Sequence, residues 1–382
     1  MKIAIFTDSF LPVVGGTQSA TLGLADALSK KHTVVVCCPK HDEKYVDNFN
    51  FKVFRTKSLK LTKTDYWGLP NLSKEFKQKL EIFKPDIIHC QTVSALTRYA
   101  QKYAKTNKIP VIMTLHTKFK RAFGSVVKIK PILSLMLKNI AKKVQKSDMV
   151  FTVSKDMESE LQSYGYNGTF NVIKNGSNCT IPKNLEDLAN KADERFSLKD
   201  KLVFLYVGRI EKYKNIEFSL KALEKFKKVY DNFVFLIVGK GTNGEYFKKL
   251  VKELDLKDNV IFTGLINNDE LSSVYARANL FLFPSIFDND ALVIIEAAVH
   301  NTPAIVLENT GASERLINNE TGFIVEHNLE KFVNKIIQVS RDLSYLEKIG
   351  KTASEKLPKT WDQTANEYLT YYKDLIEKKK CQ

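Results

Sequence analysis

Two carboxylates at the junction of a strand and a helix are the residues best suited to chemistry in this chain. Asp288 and Glu296 lie eight positions apart, where an apolar run at 280–283 is followed by a polar loop and a helical pattern that begins at Leu292. Backbone N–H groups at the start of a helix lack internal partners and attract phosphate. A carboxylate within that helix can accept hydrogen bonds from two ribose hydroxyls. This pattern suits a nucleotide site, although ordinary surface acids would produce it too.

A second segment combines glycine with cations. Gly208 and Arg209 directly follow the apolar run at 202–207, and Lys214 lies five residues further on. Fixed cations stabilise the charge that develops on a departing phosphate. Arg offers a planar fork for this purpose and Lys a point charge. The segment indicates a diphosphate site; two solvated cations in a lysine-rich chain are the alternative.

The first loop of the chain contains adjacent glycines. Gly15 and Gly16 lie between an apolar run at 3–7 and a helical pattern at 17–30. Glycine permits positive φ and close approach of the backbone to a ligand, so their N–H groups are expected to face one. Their spacing does not match the dinucleotide pattern G-x-G-x-x-G, and a plain turn is the alternative.

Three further residues end apolar runs. His116 follows the run at 110–115, and Gly239 and Leu265 follow later runs. A histidine at a strand end is more often structural, and glycine after a strand is commonplace. These positions are therefore weak signals taken singly.

The positive charge of the chain is concentrated in its first half. The formal net charge is +16, and residues 1–180 carry 29 Lys and Arg against 13 Asp and Glu, while residues 181–382 carry 30 of each. Such a field attracts anionic lipid, nucleic acid or an acidic polymer. A proteome rich in lysine would affect both halves, so the asymmetry favours a polyanionic partner.

One basic segment, residues 118–143, interleaves cations with bulky apolar residues and continues as an amphipathic helix. That combination suits an interfacial segment on an anionic bilayer. The alternative is a helix that packs its apolar stripe on a sheet and leaves its lysines in water. The candidate contacts to a membrane or acceptor are Lys118, Lys120, Arg121, Lys128 and Lys130.

Apolar runs alternate with helical patterns along both halves, which predicts parallel sheets covered by helices. The chain has 382 residues, enough for two domains. We expect an N-terminal domain at 1–180, a polar linker at 181–200, a C-terminal domain at 201–358 and a final helix at 359–382. No apolar run is long enough to span a membrane, and the N-terminus has the pattern of a strand and not of a secretory signal.

Taken in order, these motifs resemble those of family 4 glycosyltransferases, which have the GT-B fold. The acid-x(7)-acid element of Asp288 and Glu296 and the Gly-Arg…Lys element at 208–214 carry the resemblance. The first acid of the family is usually Glu, one methylene longer than Asp288, and Asn215 occupies a frequent glycine position. The resemblance implies an α/β protein with two doubly wound Rossmann-like domains, an interdomain cleft and a C-terminal crossover helix.

The resemblance also implies an activity, namely the retaining transfer of a hexose-type sugar from a nucleotide sugar, with UDP as the expected nucleotide. The acceptor hydroxyl would attack the same face of the sugar with help from a donor phosphate oxygen, so no protein nucleophile is assigned. His116 and Asp288 would orient the sugar as catalytic residues. The residues expected around the nucleotide sugar are Gly15, Gly16, Arg209, Lys214, Gly239, Leu265, Asn289, Asp290, Ala291, Leu292, Val293 and Glu296.

The pair Asp288 and Asp290 could instead form a D-x-D site for Mg²⁺ or Mn²⁺. We expect no metal or other cofactor, because Arg209 and Lys214 already supply positive charge and GT-B enzymes generally work without a metal.

The basic first half predicts a membrane lipid or lipid-linked glycan as acceptor and a cytoplasmic enzyme bound to the inner face of the cell membrane. A soluble or peripheral transferase acting on a capsule or cell-wall glycan is the close alternative. A nucleotide-binding protein without transferase activity, its basic half on nucleic acid, is the alternative from another class. The glycine spacing and the lack of an RNA-binding signature argue against nucleic acid.

Overall fold

The computed structural model describes residues 1–13, 15–41, 45–62, 66–124 and 127–381. The chain divides into two compact units, Met1–Asn178 with Lys359–Gln382 and Cys179–Pro358. Each contains a parallel sheet with helices, so the predicted α/β class is confirmed. None of the helices in the described ranges is both long and apolar enough to cross a bilayer.

The first unit is built on a parallel sheet of buried apolar strands. Ile3 and Ile5 pack into one hydrophobic cluster and Ala4 and Phe6 into another, because both faces of the sheet are covered. Its strands, with a separate antiparallel hairpin of β4 and β5, are β1 (Lys2–Phe6), β2 (Thr33–Pro39), β3 (Lys52–Thr56), β4 (Ser58–Lys60), β5 (Tyr66–Gly68), β6 (Ile87–Cys90), β7 (Val111–Leu115), β8 (Met149–Thr152) and β9 (Asn171–Val172). The sheet order is β3-β2-β1-β6-β7-β8-β9.

The helices between these strands place two loops at the carboxyl edge of the sheet. The residues after β1 lead into α1, and His116 directly follows β7. The helices are α1 (Gly16–Ser29), α2 (Lys74–Phe83), α3 (Ala95–Asn107), α4 (Phe119–Gly124), α5 (Lys130–Val144) and α6 (Asp156–Ser163).

The second unit has a sheet in the doubly wound order β12-β11-β10-β13-β14-β15, with parallel neighbours throughout. Its strands are β10 (Leu202–Val207), β11 (Phe233–Val238), β12 (Val260–Gly264), β13 (Leu280–Phe283), β14 (Ala304–Leu307) and β15 (Gly322–Val325). Its helices are α7 (Leu185–Phe196), α8 (Ile216–Lys227), α9 (Gly244–Glu253), α10 (Asn268–Arg277), α11 (Leu292–Val299), α12 (Leu329–Ser340) and α13 (Leu343–Lys356). The order reverses between β10 and β13, where doubly wound sheets bind ligands.

The expected linker at 181–200 is wrong. The segment belongs to the second unit, and most of it is α7, which packs on α10. Leu188 and Ala192 are its buried residues, and Arg277 of α10 forms an ion pair with Asp193. Two buried positions among many charges form too sparse an apolar face for the helix to be recognised from its pattern.

The final helix, α14 (Trp361–Lys380), lies in the first unit and packs on α1, and it is the crossover helix that the sequence predicts. The indole of Trp361 lies on α1 at Gly23, where a Cβ would be 2.2 Å from the Trp361 Cε2 atom. Tyr368 and Tyr372 are buried against the sheet. This helix thus forms part of the core around the carboxyl edge of the first unit.

Candidate functional site

The carboxyl edge of the second sheet brings glycine loops together. Gly208 follows β10 with φ +154°, and Gly239 follows β11 with φ +137°, a region that favours glycine. A Cβ on Gly239 would lie 2.0 Å from the carbonyl oxygen of Gly208. The two loops therefore contact each other through their backbones, and Gly239 supports the loop that carries Arg209 and Lys214.

The two predicted phosphate-binding cations have different surroundings. Arg209 is exposed, and its guanidinium carbon lies 5.7 Å from the ring centre of Tyr213. Lys214 is largely buried, with Nζ 2.5 Å from Oδ1 of Asp288, and the exposed side-chain fractions of the pair are 12% and 24%. Of these two cations, Arg209 thus faces solvent and Lys214 is fixed by a carboxylate.

Asn215 connects this loop to the loop after β13. Its φ is +60°, in the left-handed region that Asn tolerates better than most residues, which accounts for Asn at a position where glycine is frequent in the family. Its Nδ2 donates to the carbonyl oxygen of Pro284 at 3.1 Å. The bond holds the two loops in register, so Lys214 and Asp288 meet although 74 residues separate them.

The second carboxylate oxygen of Asp288 is buried, and it has no hydrogen-bond partner among the described residues. A buried acceptor without a partner is costly, and in native proteins such an atom calls for an explanation. Because Lys214 holds Oδ1, the carboxylate is oriented with Oδ2 as a ready acceptor. This geometry suits a hydrogen bond from a ligand hydroxyl to Oδ2 of Asp288.

The carboxylate of Asp290 faces the interior. It forms an ion pair with Arg315, Nε to Oδ1 2.5 Å, and both side chains are 4% exposed. Gly311, from the same turn as Arg315, allows close contact, since a Cβ there would lie 2.2 Å from the carbonyl oxygen of Asn289. The sequence predicts that Asp290 binds the donor. In the structure its carboxylate is paired with Arg315 and stabilises the 288–290 loop.

We expect Asp290→Ala to lower the free energy of unfolding by about 3–5 kcal/mol, because it leaves the buried guanidinium of Arg315 without this carboxylate. Glu253→Ala is the control, since it removes an ion pair with Lys249 whose side chains are 56% and 80% exposed. Its expected effect is below about 0.5 kcal/mol. Urea denaturation followed by circular dichroism measures the free energy of unfolding of both variants. Equal losses in Asp290→Ala and Glu253→Ala would contradict the role of Asp290 in stabilising the loop.

Helix α11 begins directly after this loop. Ala291 is its N-cap residue without a side-chain hydrogen bond, and the first turn, with Leu292 and Val293, contains no acid. The partial positive charge of the helix start is therefore not offset by a capping side chain or an acid of that turn. This is an arrangement that can receive a phosphate.

Glu296 lies further along α11 and accepts a hydrogen bond from the Tyr275 hydroxyl at 3.0 Å. Burial raises the pKa of Glu296, and the bond from Tyr275 only partly offsets that effect. The His300 ring stacks on Tyr275 at 5.4 Å, and its Nδ1 lies 2.7 Å from the carbonyl oxygen of Glu296. Further hydroxyl donors would stabilise this buried carboxylate in its charged form.

In the first unit, neither glycine of the pair after β1 has a left-handed φ. Gly15 is the N-cap of α1 with φ 179°, an extended conformation, and Gly16 does not have a left-handed φ. A Cβ on Gly16 would meet no atom within 4 Å among the described residues. Among the described residues, the first turn of α1 has no acid and no side-chain cap, so this helix N-terminus is able to receive an anion.

His116 is partly buried beyond β7, and its Nε2 lies 2.6 Å from Oε1 of Gln91. Burial lowers the pKa of His116 to about 4, so the ring is neutral at pH 7. A neutral imidazole can orient a hydroxyl without adding charge. Gln91 and Tyr275 were not predicted; Gln91 follows a buried strand and could have been found by that criterion, whereas nothing local marks Tyr275.

Leu265 follows Gly264, which has φ +72°, and is 69% exposed. Its position at the carboxyl edge of β12 leaves a large apolar side chain at the surface of the second unit.

The basic segment of the first unit is only partly a charged surface. Lys118, a candidate contact to a membrane or acceptor, forms a 2.5 Å ion pair with Asp156, and its side chain is 17% exposed. Lys120, Lys128 and Lys130 are exposed. Arg121 lies in α4, but its side chain is outside the described part of the molecule.

The D-x-D alternative does not fit the carboxylates. Asp288 binds Lys214 and Asp290 binds Arg315, so each acid already has a cation. In the described ranges, no group of three His, Cys, Asp or Glu side chains is arranged for a metal ion.

Two family models match consecutive parts of the chain. Residues 14–180 match Glycosyltransferase Family 4, and residues 172–356 match Glycosyl transferases group 1. With two parallel-sheet units and the site residues in order, the chain belongs to the family 4 glycosyltransferases and has the GT-B fold. It is a glycosyltransferase.

Curated relatives match over most of the chain. It is 25% identical to an alpha-monoglucosyldiacylglycerol synthase of Acholeplasma laidlawii, covering 99% of this chain and 98% of the relative. It is 26% identical to the synthase of that name in Streptococcus pneumoniae, covering 94% and 82%. It is 23% identical to a GDP-mannose-dependent alpha-mannosyltransferase of Corynebacterium glutamicum, covering 98% and 89%.

Solved structures show the same fold. A sucrose-phosphate synthase from Thermosynechococcus elongatus aligns with TM-score 0.77 and 21% identity over 98% of this chain and 99% of that chain. Anabaena HepE in complex with UDP aligns with TM-score 0.76 and 17% identity over 98% and 100%. At these identities the likeness shows the fold alone.

Proposed function

We propose that this glycosyltransferase moves a hexose from a UDP-sugar, with retention of configuration, to a hydroxyl of a membrane lipid or lipid-linked glycan. The observation that carries the donor site is the orientation of Asp288, which binds Lys214 through Oδ1 and has its buried Oδ2 as an acceptor for a sugar hydroxyl. Two relatives named as monoglucosyldiacylglycerol synthases support a lipid acceptor.

The donor is proposed to be held by charge at one end and by hydroxyl contacts at the other. In the second unit, Arg209 and Lys214 bind the diphosphate. Glu296 accepts the ribose hydroxyls, and Asp288 orients the sugar. No metal or other cofactor is included, because the cations of the chain supply the positive charge.

The proposed reaction needs no covalent intermediate with the protein. The acceptor oxygen bonds to the anomeric carbon on the face that the diphosphate leaves, and its proton passes to a phosphate oxygen. The electron pair of the broken glycosidic bond goes to the leaving phosphate. Arg209 and Lys214 stabilise that charge more strongly in the transition state than in the bound donor, which accelerates the step.

A partly apolar, basic surface on α5 supports a membrane-associated acceptor. Leu137 and Ile140 pack into the core, whereas Ile132 and Leu135 are 48% and 70% exposed. Lys130 opens the helix, and no acid lies in its first turn. A cation at a helix N-terminus is unfavourable by about 0.3–1 kcal/mol, so an external anion would relieve a cost that the fold carries. We propose peripheral binding to the inner face of the cell membrane.

Replacing Ile132 and Leu135 by Asp should reduce flotation with vesicles of anionic lipid at least about tenfold, since it removes apolar contact and adds repulsion. Leu343→Asp, at a side chain 46% exposed on α13 of the other unit, is the matched control and should float normally. If the wild type fails to bind anionic vesicles at low salt, the lipid interface is excluded and a soluble glycan becomes the acceptor to test.

Incubation with a panel of nucleotide sugars, with detection of released nucleoside diphosphate, tests the donor. The proposal expects slow hydrolysis of a UDP-hexose without acceptor and a higher melting temperature with UDP than with NAD. Release of GDP alone would contradict the choice of UDP and point to the donor named for the C. glutamicum relative.

A further inference from the structure

A cavity of about 640 Å³ lies in the first unit, at the amino edge of its sheet. Val111, the first residue of β7, lines this cavity, whereas His116 follows the other end of the same strand. A strand of this length spans about 16 Å, so the cavity is separate from the loops at the carboxyl edge. Its volume lies in the range of about 300–1,000 Å³ that is typical of small-molecule sites. The cations that line it are Arg98, Lys102, Lys105, Lys108, Lys146 and Lys379.

Helix α3 contributes three of these cations from one face. Arg98, Lys102 and Lys105 follow each other at intervals of four and three residues, which places their side chains on the same side of the helix. All three are exposed. Like charges at this spacing repel each other, so the folded chain holds them together at an energetic cost. An anion in the cavity would lower that cost.

Asp148 is the only acid among the described residues that line the cavity, and both of its carboxylate oxygens already accept hydrogen bonds. Oδ1 accepts from Nζ of Lys379 at 2.9 Å, and Oδ2 accepts from the backbone N–H of Val111 at 2.7 Å. The other five cations form no ion pair with a described residue. The carboxylate therefore neutralises one cation of the six.

Helix ends offset a further part of the positive charge. The helices α3, α5 and α14 end at Asn107, Val144 and Lys380, next to the residues that line the cavity. The C-terminus of a helix carries roughly −0.5 elementary charge, so three such ends together with Asp148 offset fewer than half of the six cations. Stabilisation of the helix ends thus does not account for the number of cations.

The residues beside the cavity indicate the same excess of positive charge. Nε2 of Gln101 donates to the carbonyl oxygen of Lys143 at 2.8 Å, which fixes α3 to the end of α5. Burial lowers the pKa of Lys143, and the charge of Arg98 lowers it further. This direction is expected where cations lie close together without matching acids.

We propose that this cavity binds a ligand through a phosphate group, which belongs either to a soluble phosphate compound or to the headgroup of an anionic phospholipid. Phosphate fits the lining because its oxygens accept from the planar fork of Arg98 and from several ammonium groups at once. The cavity lies within the first unit and shares no residue with the donor site proposed in the second. Its test therefore leaves the proposed function unchanged.

Labelling of lysine amines with acetic anhydride, read residue by residue by mass spectrometry, tests the site with inorganic pyrophosphate as the probe. When about one tenth of the molecules remain unliganded, the labelling rates of Lys102, Lys105 and Lys146 should fall by up to about tenfold. Lys52 and Lys74, which are exposed and do not line the cavity, should keep their rates. Sodium chloride at equal ionic strength is the control for screening. Unchanged rates at the cavity, or equal protection of Lys52 and Lys74, would overturn the proposal.

A charge-matched pair of variants tests which cations hold the probe. In Arg98→Gln with Lys102→Gln, the pyrophosphate concentration that half-protects Lys146 should rise at least about tenfold, because two charge-assisted contacts are lost. Lys52→Gln with Lys74→Gln removes the same charge from exposed positions of the same unit and should leave that concentration unchanged within about twofold. Equal values for the two variants would show a general effect of net charge and contradict a site at the cavity.

Vesicles distinguish the two sources of phosphate with the same labelling. Protection of Lys146 by vesicles of phosphatidylglycerol and phosphatidylcholine, but not by phosphatidylcholine alone, would support a lipid headgroup as the ligand. Protection by pyrophosphate without protection by either vesicle would support a soluble phosphate compound. Protection by none of these probes would overturn the proposal.

Discussion

Lys214→Ala is expected to lower kcat about 10²–10³-fold, the effect of removing one fixed group that stabilises transition-state charge. The Nζ of Lys214 is held 2.5 Å from Asp288 in a largely buried position, so its charge is fixed in place by the fold. Arg209→Ala should act in the same direction, since its guanidinium is an exposed cation of the same loop and is the second group proposed to bind the diphosphate. Steady-state release of UDP measures both.

Loss of Lys214 also leaves the Asp288 carboxylate buried without a cation, which lowers stability. The double variant Lys214→Ala with Asp288→Asn removes that charge and should regain stability without regaining turnover. Lys212→Ala is the matched control, because its Nζ lies 4.0 Å from the ring centre of Tyr246 and the change should alter kcat less than about twofold. Near-normal turnover of both Arg209→Ala and Lys214→Ala would contradict the proposal that these two cations bind the diphosphate.

Glu296→Gln is expected to raise the KM for the donor about 10–100-fold, because hydrogen bonds to a charged carboxylate contribute about 1.5–3 kcal/mol each. Burial already raises the pKa of Glu296, so the unliganded protein carries the cost of a buried charge. The amide removes that cost. The melting temperature without donor should therefore rise at pH 7, while donor binding weakens.

The direction of the pKa shift gives the pH dependence. The folded-state pKa of Glu296 lies above its unfolded value, so the carboxyl favours the folded state below the unfolded pKa and loses that contribution as pH rises through the folded pKa. The stability gain of Glu296→Gln should therefore be present at pH 7 and disappear in acid. Tyr275→Phe, which removes one hydrogen bond to the Glu296 carboxylate, is the variant with which the stability of Glu296→Gln is compared. An unchanged donor KM in Glu296→Gln would contradict the ribose role.

Continuous apolar runs made much of the fold predictable. The strands β10 and β13 have the bounds that the sequence predicts, because strands buried on both faces contain few polar residues. The helix α14 lies within the predicted range 359–382. Helices with sparse apolar faces are harder to predict. The α7 helix resembles a linker in the sequence because it has only two buried residues among many charged ones.

In the site, the motifs were predictable and their partners were not. The order of Gly208, Arg209 and Lys214 is visible in the sequence, and so is the spacing of the two acids. The ion pair of Asp290 with Arg315 and the hydrogen bond between His89 and Tyr372 join residues that only the folded chain brings together. Local pattern contains no information about which of two neighbouring acids faces the interior.

A crystal structure of the protein with UDP tests the central claim most directly. If the account is right, phosphate oxygens lie about 2.7–3.2 Å from the guanidinium of Arg209 and the amine of Lys214, and the ribose hydroxyls contact Glu296. A bound UDP whose phosphates contact neither cation would contradict it.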